Sequence, residues 1–265
     1  MVTGPNSGIG LVIATSLARQ GYHVVAAGRS EKRISPVVAE INGSGGSAEY
    51  LHLDLTSLDS AREAAAAFEK TGRTLDVLVN NAGIGVNRRG LTEDGFEVHF
   101  GINHLGHFQL THHLRRTFRP GTRIVQVASS VHDRAPGIDF DLVHRKSSFA
   151  GLNEYAVSKL ANVLFVREMA RRQPDWQLYA VHPGLVSTKL IPGVARFFYR
   201  NRILTPEQGA DTPLWCATSE DVADESGNYY AKRETRSPSP VALDDDLARE
   251  LWRRSELWCG VAPQH

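Results

Sequence analysis

Tyr155 and Lys159 stand four positions apart in the run Tyr155-Ala156-Val157-Ser158-Lys159. On a helix that spacing puts a phenol and an ammonium one turn apart on the same face. A free tyrosine loses its proton near pH ~10, which makes it a poor base at neutrality. A cation held close favours the phenolate and eases the transfer. Such a pair has the parts to move a proton to or from an alcohol or carbonyl oxygen. The pattern also arises by chance on solvated helix faces, so the rest of the chain has to support it. The apolar run over 160–166 that follows supplies a helix with a buried face.

A second stretch with chemical content opens the chain, Thr3-Gly4-Pro5-Asn6-Ser7-Gly8-Ile9-Gly10. It reads as the end of a strand, a glycine-rich loop and a helix beginning near Gly8. Glycines let the backbone approach a ligand, and free N–H groups at a helix start favour an anion. Gly4, Asn6, Ser7, Gly8, Ile9 and Gly10 are therefore candidates for a phosphate cradle. A strand over 23–27 follows and ends at Gly28-Arg29-Ser30. A strand–helix–strand unit with its glycine loop at the first junction is half of a dinucleotide-binding fold. Many such units carry an acidic residue at the end of the second strand. Arg29 stands there instead, and a guanidinium pairs bidentately with a 2′-phosphate that a carboxylate would repel. This favours NADP(H) over NAD(H). The alternative is that Arg29 only lies on the surface near the adenine, which leaves the choice of cofactor open.

The elements that position these residues alternate along the chain. Helix is expected over 31–42, strand over 48–53 ending at Asp54-Leu55, helix over 57–71 and strand over 75–80. Asp54 either accepts a hydrogen bond from an adenine amino group or caps the helix that starts near Ser57. The small residues of Asn81-Ala82-Gly83 would let a nucleotide lie against the backbone. A strand over 123–128, an irregular polar segment over 131–152 and a strand over 177–181 follow. Pro183 and Gly184 then make a tight turn. Thr205 and Pro206 read as a helix cap and first turn, 226–230 as a last strand, and 244–258 as a closing helix. The architecture expected is a doubly wound parallel sheet of about seven strands with helices on both faces, one α/β domain over 1–265.

Composition excludes several classes. With 265 residues, 42% hydrophobic and 22% charged, the chain is long enough for a sizeable core. A net charge of +1 gives no electrostatic case for nucleic acid. Cys216 and Cys259 form no disulfide framework, which points to a reducing, cytoplasmic setting. No apolar run reaches the roughly 18 residues of a transmembrane helix. No signal peptide is visible, since the first residues run into a glycine-rich turn. His104 and His107 have a spacing that can share a metal ion. No acidic or cysteine partner lies in that stretch, so they read as packing residues and no metal is expected.

Thr3-Gly4-x-x-x-Gly8-x-Gly10, Asn80-Asn81-Ala82-Gly83, Ser129-Ser130 and Tyr155-x-x-x-Lys159 resemble, in order and spacing, the motifs of the short-chain dehydrogenases/reductases. The run Ile102-Asn103-His104-Leu105-Gly106-His107-Phe108, His182-Pro183-Gly184 and Leu251-Trp252 resemble the retinol dehydrogenase-like branch. The resemblance implies a catalytic group of Asn103, Ser130, Tyr155 and Lys159. Ser130 is preferred to Ser129 because its 25-residue separation from Tyr155 resembles that branch. In that reading Ser130 holds the reacting oxygen, Asn103 keeps a water in place, and Lys159 lowers the Tyr155 pKa and holds ribose hydroxyls. Val186 backbone groups would bind the carboxamide and Thr188 the pyrophosphate. The activity implied is NADP(H)-dependent interconversion of an alcohol and an aldehyde or ketone on a bulky apolar small molecule. The alternative is an NADP(H)-binding module without turnover. Homodimers through the helix carrying Tyr155 are common among such proteins.

Two expectations concern the ends of the site. Aromatic residues interleaved with arginine over 187–204 read as a substrate lid, with contact to a membrane surface or ordinary packing as the other readings. Only Met1 and Val2 precede the Thr3-Gly4 turn, where members of the family carry a longer first strand. A truncated central strand should cost packing and ladder hydrogen bonds on both sides. Either the true start lies upstream, or this form folds poorly and binds cofactor weakly.

Overall fold

The central parallel strands are buried on both faces, which is why they read as near-continuous apolar runs. The computed structural model describes residues 1–147, 151–186 and 203–262. In chain order these begin β1 (Val2–Thr3), α1 (Gly8–Arg19), β2 (His23–Gly28), α2 (Glu31–Gly43), β3 (Ser47–His52), α3 (Leu58–Glu69) and β4 (Val77–Asn80). A short turn α4 (Val98–Phe100), a π-helix (Gly101–Leu105) and α5 (Gly106–Leu114) follow. Then come β5 (Arg123–Val127), α6 (Leu152–Arg172), β6 (Gln177–His182), α7 (Pro206–Thr218), β7 (Asn228–Ala231), β8 (Glu234–Arg236) and α8 (Asp245–Trp258).

The sheet order is β3-β2-β1-β4-β5-β6-β7-β8. Every neighbouring pair is parallel except β7 and β8, which form an antiparallel hairpin at the edge. The chain crosses from β3 back past β1 to β4, so the sheet is wound in both directions from β1. That reversal leaves a crevice at the carboxyl ends of β1 and β4, where α/β sheets bind ligands. One face of the sheet packs Ile13 and Leu17 of α1 on Val79, Val125 and Val181. The other packs Leu110, Leu164 and Phe165 on Leu78, Ile124 and Leu178.

The two residues of β1 are paired on both sides, Val2 with Ala26 of β2 and with Val79 of β4. The Met1 ammonium donates to the Val77 carbonyl at 2.7 Å, and the Val79 N–H donates to the Met1 carbonyl at 2.9 Å. Burial pushes the pKa of that ammonium down to about 5. A cavity of about 220 Å³ adjoins it, lined by Leu17, Val24, Phe68 and Leu75 among others.

The strand β8 was not expected. Its hairpin turns through Lys232 and Arg233, both with positive φ (58° and 55°). A two-residue turn with both φ values positive matches strand twist but is normally written Asn-Gly, so Lys-Arg gives no signal. Among the described residues no helix is long and apolar enough to cross a membrane.

The last helix covers the helix that carries Tyr155. Asp244 caps α8 by accepting from the N–H groups of Asp246 and Leu247, both at 2.9 Å. Trp252 of α8 stacks on Phe165 of α6, with ring centroids 6.0 Å apart and planes 6° apart. It also meets Phe108 of α5 edge-on at 5.0 Å, and its indole N–H donates to Glu256 at 2.7 Å. Trp252→Ala should therefore cost about 3–5 kcal/mol of stability. A denaturation midpoint within error of wild type would show that α8 contributes nothing to this core.

Candidate active site

The crevice is built from glycines that leave no room for a side chain. A Cβ on Gly10 would sit 2.4 Å from the Asn81 side-chain nitrogen and 2.5 Å from the Gly4 carbonyl. Gly4 takes φ +67° and packs on Ala82, which only glycine does without strain. Ser7 precedes α1 in extended conformation and gives it no side-chain cap. The first N–H groups of α1 are thus left to an external acceptor, the usual arrangement for a phosphate.

Thr3, at the end of β1, ties the cradle to the exit of β4. Its hydroxyl accepts from the N–H groups of Asn81 and Ala82 at 3.0 and 2.9 Å. The Asn81 side-chain amide donates to the Thr3 carbonyl at 2.9 Å. The same hydroxyl lies 3.0 Å from Nε2 of His107 on α5. His107 Nδ1 lies 3.2 Å from the Asn103 carbonyl and must be its donor. Nε2 is then the acceptor, and the Thr3 hydroxyl donates to it. Burial agrees, pushing the His107 pKa down to about 4 and keeping the ring neutral.

Asn103 sits in the π-helix, a distortion common at functional sites. Its side-chain oxygen accepts from the Ile84 N–H at 2.9 Å, and its nitrogen donates to the Ile84 carbonyl at 3.1 Å. That nitrogen also donates to the Ser158 hydroxyl at 3.0 Å. The amide is therefore occupied in holding the chain after β4 against α6. A Cβ on Gly83 would lie 2.9 Å from the Asn103 oxygen and 3.9 Å from Lys159 Nζ. Gly83 is thus where the nucleotide crevice and the α6 residues meet.

On α6, Lys159 is buried and donates to the Val127 carbonyl at 2.9 Å. Its Nζ lies 5.8 Å from the centre of the Tyr155 ring. Burial pulls its pKa from the ordinary 10.5 to about 8. Burial pushes the Tyr155 phenol above its ordinary range, and a hydrogen bond with Ser129 pulls it partly back. The phenol is therefore raised, not lowered as expected from Lys159, because desolvation of the phenolate dominates. The hydroxyl on the phenol is that of Ser129. Ser130 opens the 3₁₀ turn Ser130–Arg134 and is exposed. The structure thus brings Tyr155, Lys159 and Ser129 together and leaves Ser130 outside. Ser129 is held in turn by His132, whose Nδ1 donates to the Ser129 carbonyl at 2.7 Å.

The remaining expected residues divide. Arg29 follows β2 with its side chain 68% exposed, and its Nε lies 3.8 Å from an Asp54 oxygen. Asp54 does not cap α3. That helix is capped by the Ser57 hydroxyl, while Asp54 accepts from the Thr56 N–H and hydroxyl at 3.0 and 2.8 Å. Leu55 is buried against Gly106. Pro183 and Gly184 are half-buried beyond β6, Gly184 at φ +84°, and Val186 is buried and bridges to Leu204. Thr188 and nearly all of the expected lid over 187–204 lie outside the described residues. His104 reaches the Ser255 hydroxyl of α8 at 3.1 Å. Among the described residues no three metal-ligating side chains gather to hold an ion.

Residues 1–195 match the family model described as short chain dehydrogenase. The chain belongs to that family. It is 38% identical to human dehydrogenase/reductase SDR family member 13 over 99% of this chain and 73% of the relative. It is 38% identical to human retinol dehydrogenase 11, over 95% of this chain and 82% of the relative. A short chain dehydrogenase from Burkholderia cenocepacia, in complex with NADP, superposes with TM-score 0.72 at 26% identity, covering 92% of this chain and 96% of that one. The chain is a retinol dehydrogenase-like short-chain dehydrogenase acting on CH–OH groups. The fold implies NAD(P) as its redox partner, and the glycine cradle fits one, since a side chain at Gly10 would collide with the cradle itself.

For this short-chain dehydrogenase the buried Lys159 sets a stability test. Between pH 8 and 10.5 the unfolded chain holds a proton on Lys159 that the folded chain has released. Stability therefore rises with pH across that window, and at neutral pH the buried charge is a cost. Lys159→Met should melt higher than wild type at pH 7, with the difference shrinking towards pH 10. Equal melting temperatures at both pH values would refute it.

Proposed function

We propose that this chain reduces aldehydes or ketones, and oxidises the corresponding alcohols, with Tyr155 as the proton-transferring group. The observation that carries this reading is the convergence of three groups from two segments, Tyr155 and Lys159 on α6 and Ser129 just after β5. The Ser129 side chain lies near enough to the Tyr155 phenol to hold its pKa down against burial, and Lys159 Nζ lies 5.8 Å from the Tyr155 ring, beside Gly83 of the nucleotide crevice. The bound nicotinamide supplies or accepts the hydride. Tyr155 gives its proton to the carbonyl oxygen, or takes it from the alcohol, within hydrogen-bond reach. Ser129 takes the role expected of Ser130, donating to the same oxygen and fixing its position. Lys159 holds ribose hydroxyls and keeps a positive charge beside the ring. A phenol raised by burial is protonated at neutral pH, which suits carbonyl reduction.

NADP(H) is the proposed cofactor, since the exposed Arg29 at the end of β2 offers a guanidinium to a 2′-phosphate. The Burkholderia relative binds NADP with the same fold. Gly4, Asn6, Ser7, Gly8, Ile9 and Gly10 would hold the pyrophosphate. Asn81, Ala82 and Gly83 would take the adjoining ribose, and Pro183, Gly184, Val186 and Thr188 the nicotinamide end. Leu152, one turn before Tyr155 on α6, is exposed, as are Leu91 and Leu185. With the likeness to retinol dehydrogenase 11, they support a bulky apolar substrate.

Purified protein should oxidise NADPH with members of a panel of apolar aldehydes and ketones. Tyr155→Phe and Ser129→Ala should each lower kcat roughly 100-fold with NADPH still bound, whereas Ser130→Ala should stay near wild type. Turnover surviving in Tyr155→Phe would end the proposal. Arg29→Asp should cut the NADPH-over-NADH preference about tenfold or more, and an unchanged ratio would refute the cofactor assignment.

A further inference from the structure

A fully buried acid–imidazole pair lies beside Tyr155, outside the groups assigned above. Glu97 and His99 are 2% and 0% exposed. Glu97 Oε2 accepts from the N–H groups of His99 and Phe100, both at 2.9 Å, and so closes the turn α4. Its Oε1 faces His99 Nδ1 at 2.8 Å and also accepts from the Ser147 hydroxyl. His99 Nε2 lies 3.0 Å from the Gly85 carbonyl. The Glu97 N–H donates to the Val143 carbonyl at 2.6 Å. Both nitrogens of the ring thus face oxygen, and a flipped ring would lose both contacts.

The other surface of the imidazole faces the catalytic helix. Its centroid lies 6.1 Å from that of Tyr155, with the rings edge to face. A Cβ on Gly151 would lie 2.6 Å from His99 Cε1, so α6 begins directly against the imidazole. Gly151 takes φ +65°, the conformation that lets the chain turn there. Three segments thus rest on this pair: the chain after Gly83 through Gly85, the segment at Val143 and Ser147, and the first turn of α6. Buried polar pairs add little net stability over well-packed apolar residues, so stability alone does not account for this one.

We propose that Glu97 and His99 are positioning residues. They fix the first turn of α6, and with it the Tyr155 phenol, against the chain at Gly85 and the segment at Val143 and Ser147. The proposal rests on the reading of Tyr155 given above.

His99→Phe keeps a ring in place and removes both hydrogen bonds, and Glu97→Ala removes the carboxylate. Each should lower kcat about tenfold or more through misplacement of the phenol, while the NADPH Kd stays within about twofold of wild type. Glu97→Gln retains an oxygen for the two N–H groups and should recover most of the loss. Hydrogen exchange should quicken at the amides of 151–155 in His99→Phe and not in the glycine loop over 4–10. Wild-type kcat in His99→Phe, or NADPH affinity falling in step with kcat, would overturn the proposal. If wild-type protein turned over nothing while binding NADPH, the reading of Tyr155 would fail. Exchange would then decide the positioning role alone, and unchanged protection at 151–155 would refute it.

Discussion

One buried hydroxyl joins the halves of this molecule. Thr3 accepts from two consecutive backbone N–H groups after β4 and donates to a neutral histidine on α5. That histidine in turn holds the Asn103 carbonyl. Each member satisfies the next, and in a dry interior such a chain is either complete or costly. The nucleotide cradle, the β4 exit and the π-helix therefore move together or not at all. A valine at position 3 would have the right shape and would strand two N–H groups and an imidazole nitrogen.

The polar groups around this chain work against stability. Lys159 is held charged in a place that lowers its pKa to about 8, and Tyr155 is buried enough to resist ionising. The π-helix gives up regular hydrogen bonding so that Asn103 reaches Ile84 and Ser158. These are the positions where local rules are broken, and they coincide with the groups proposed to bring a proton donor to a substrate oxygen. Regular packing elsewhere, with Leu78, Ile124 and Leu164 wholly buried, offsets what they cost.

Much of this was legible in the residues. The spacing of Tyr155 and Lys159 is a helical property, and the glycine loop declares itself by composition. The strand and helix alternation follows from apolar runs that had to be buried on two faces. Other features carried no local signal. Ser129 and Ser130 are chemically identical neighbours, and only the turn after β5 decides which meets the phenol. The Lys232-Arg233 hairpin lacks the glycine that would have marked it. Thr3 and His107 are far apart in sequence and meet only through tertiary packing, and the chain between Gly85 and His99 gives no sign that it folds back to pair them. Asp54 had two plausible partners on paper, and the presence of Ser57 settled which residue closes α3.

The closing helix has one more implication. Trp252 lies flat on Phe165, Arg172 stands over its indole at 5.0 Å, and His104 is bonded to Ser255. The outward surface of α6 in the region of Phe165 is thus already roofed by the chain itself. A second copy seeking that surface would first have to lift an indole out of its slot and break a buried imidazole–hydroxyl contact. Any pairing of subunits that leaves this roof intact must use some other flank of the molecule.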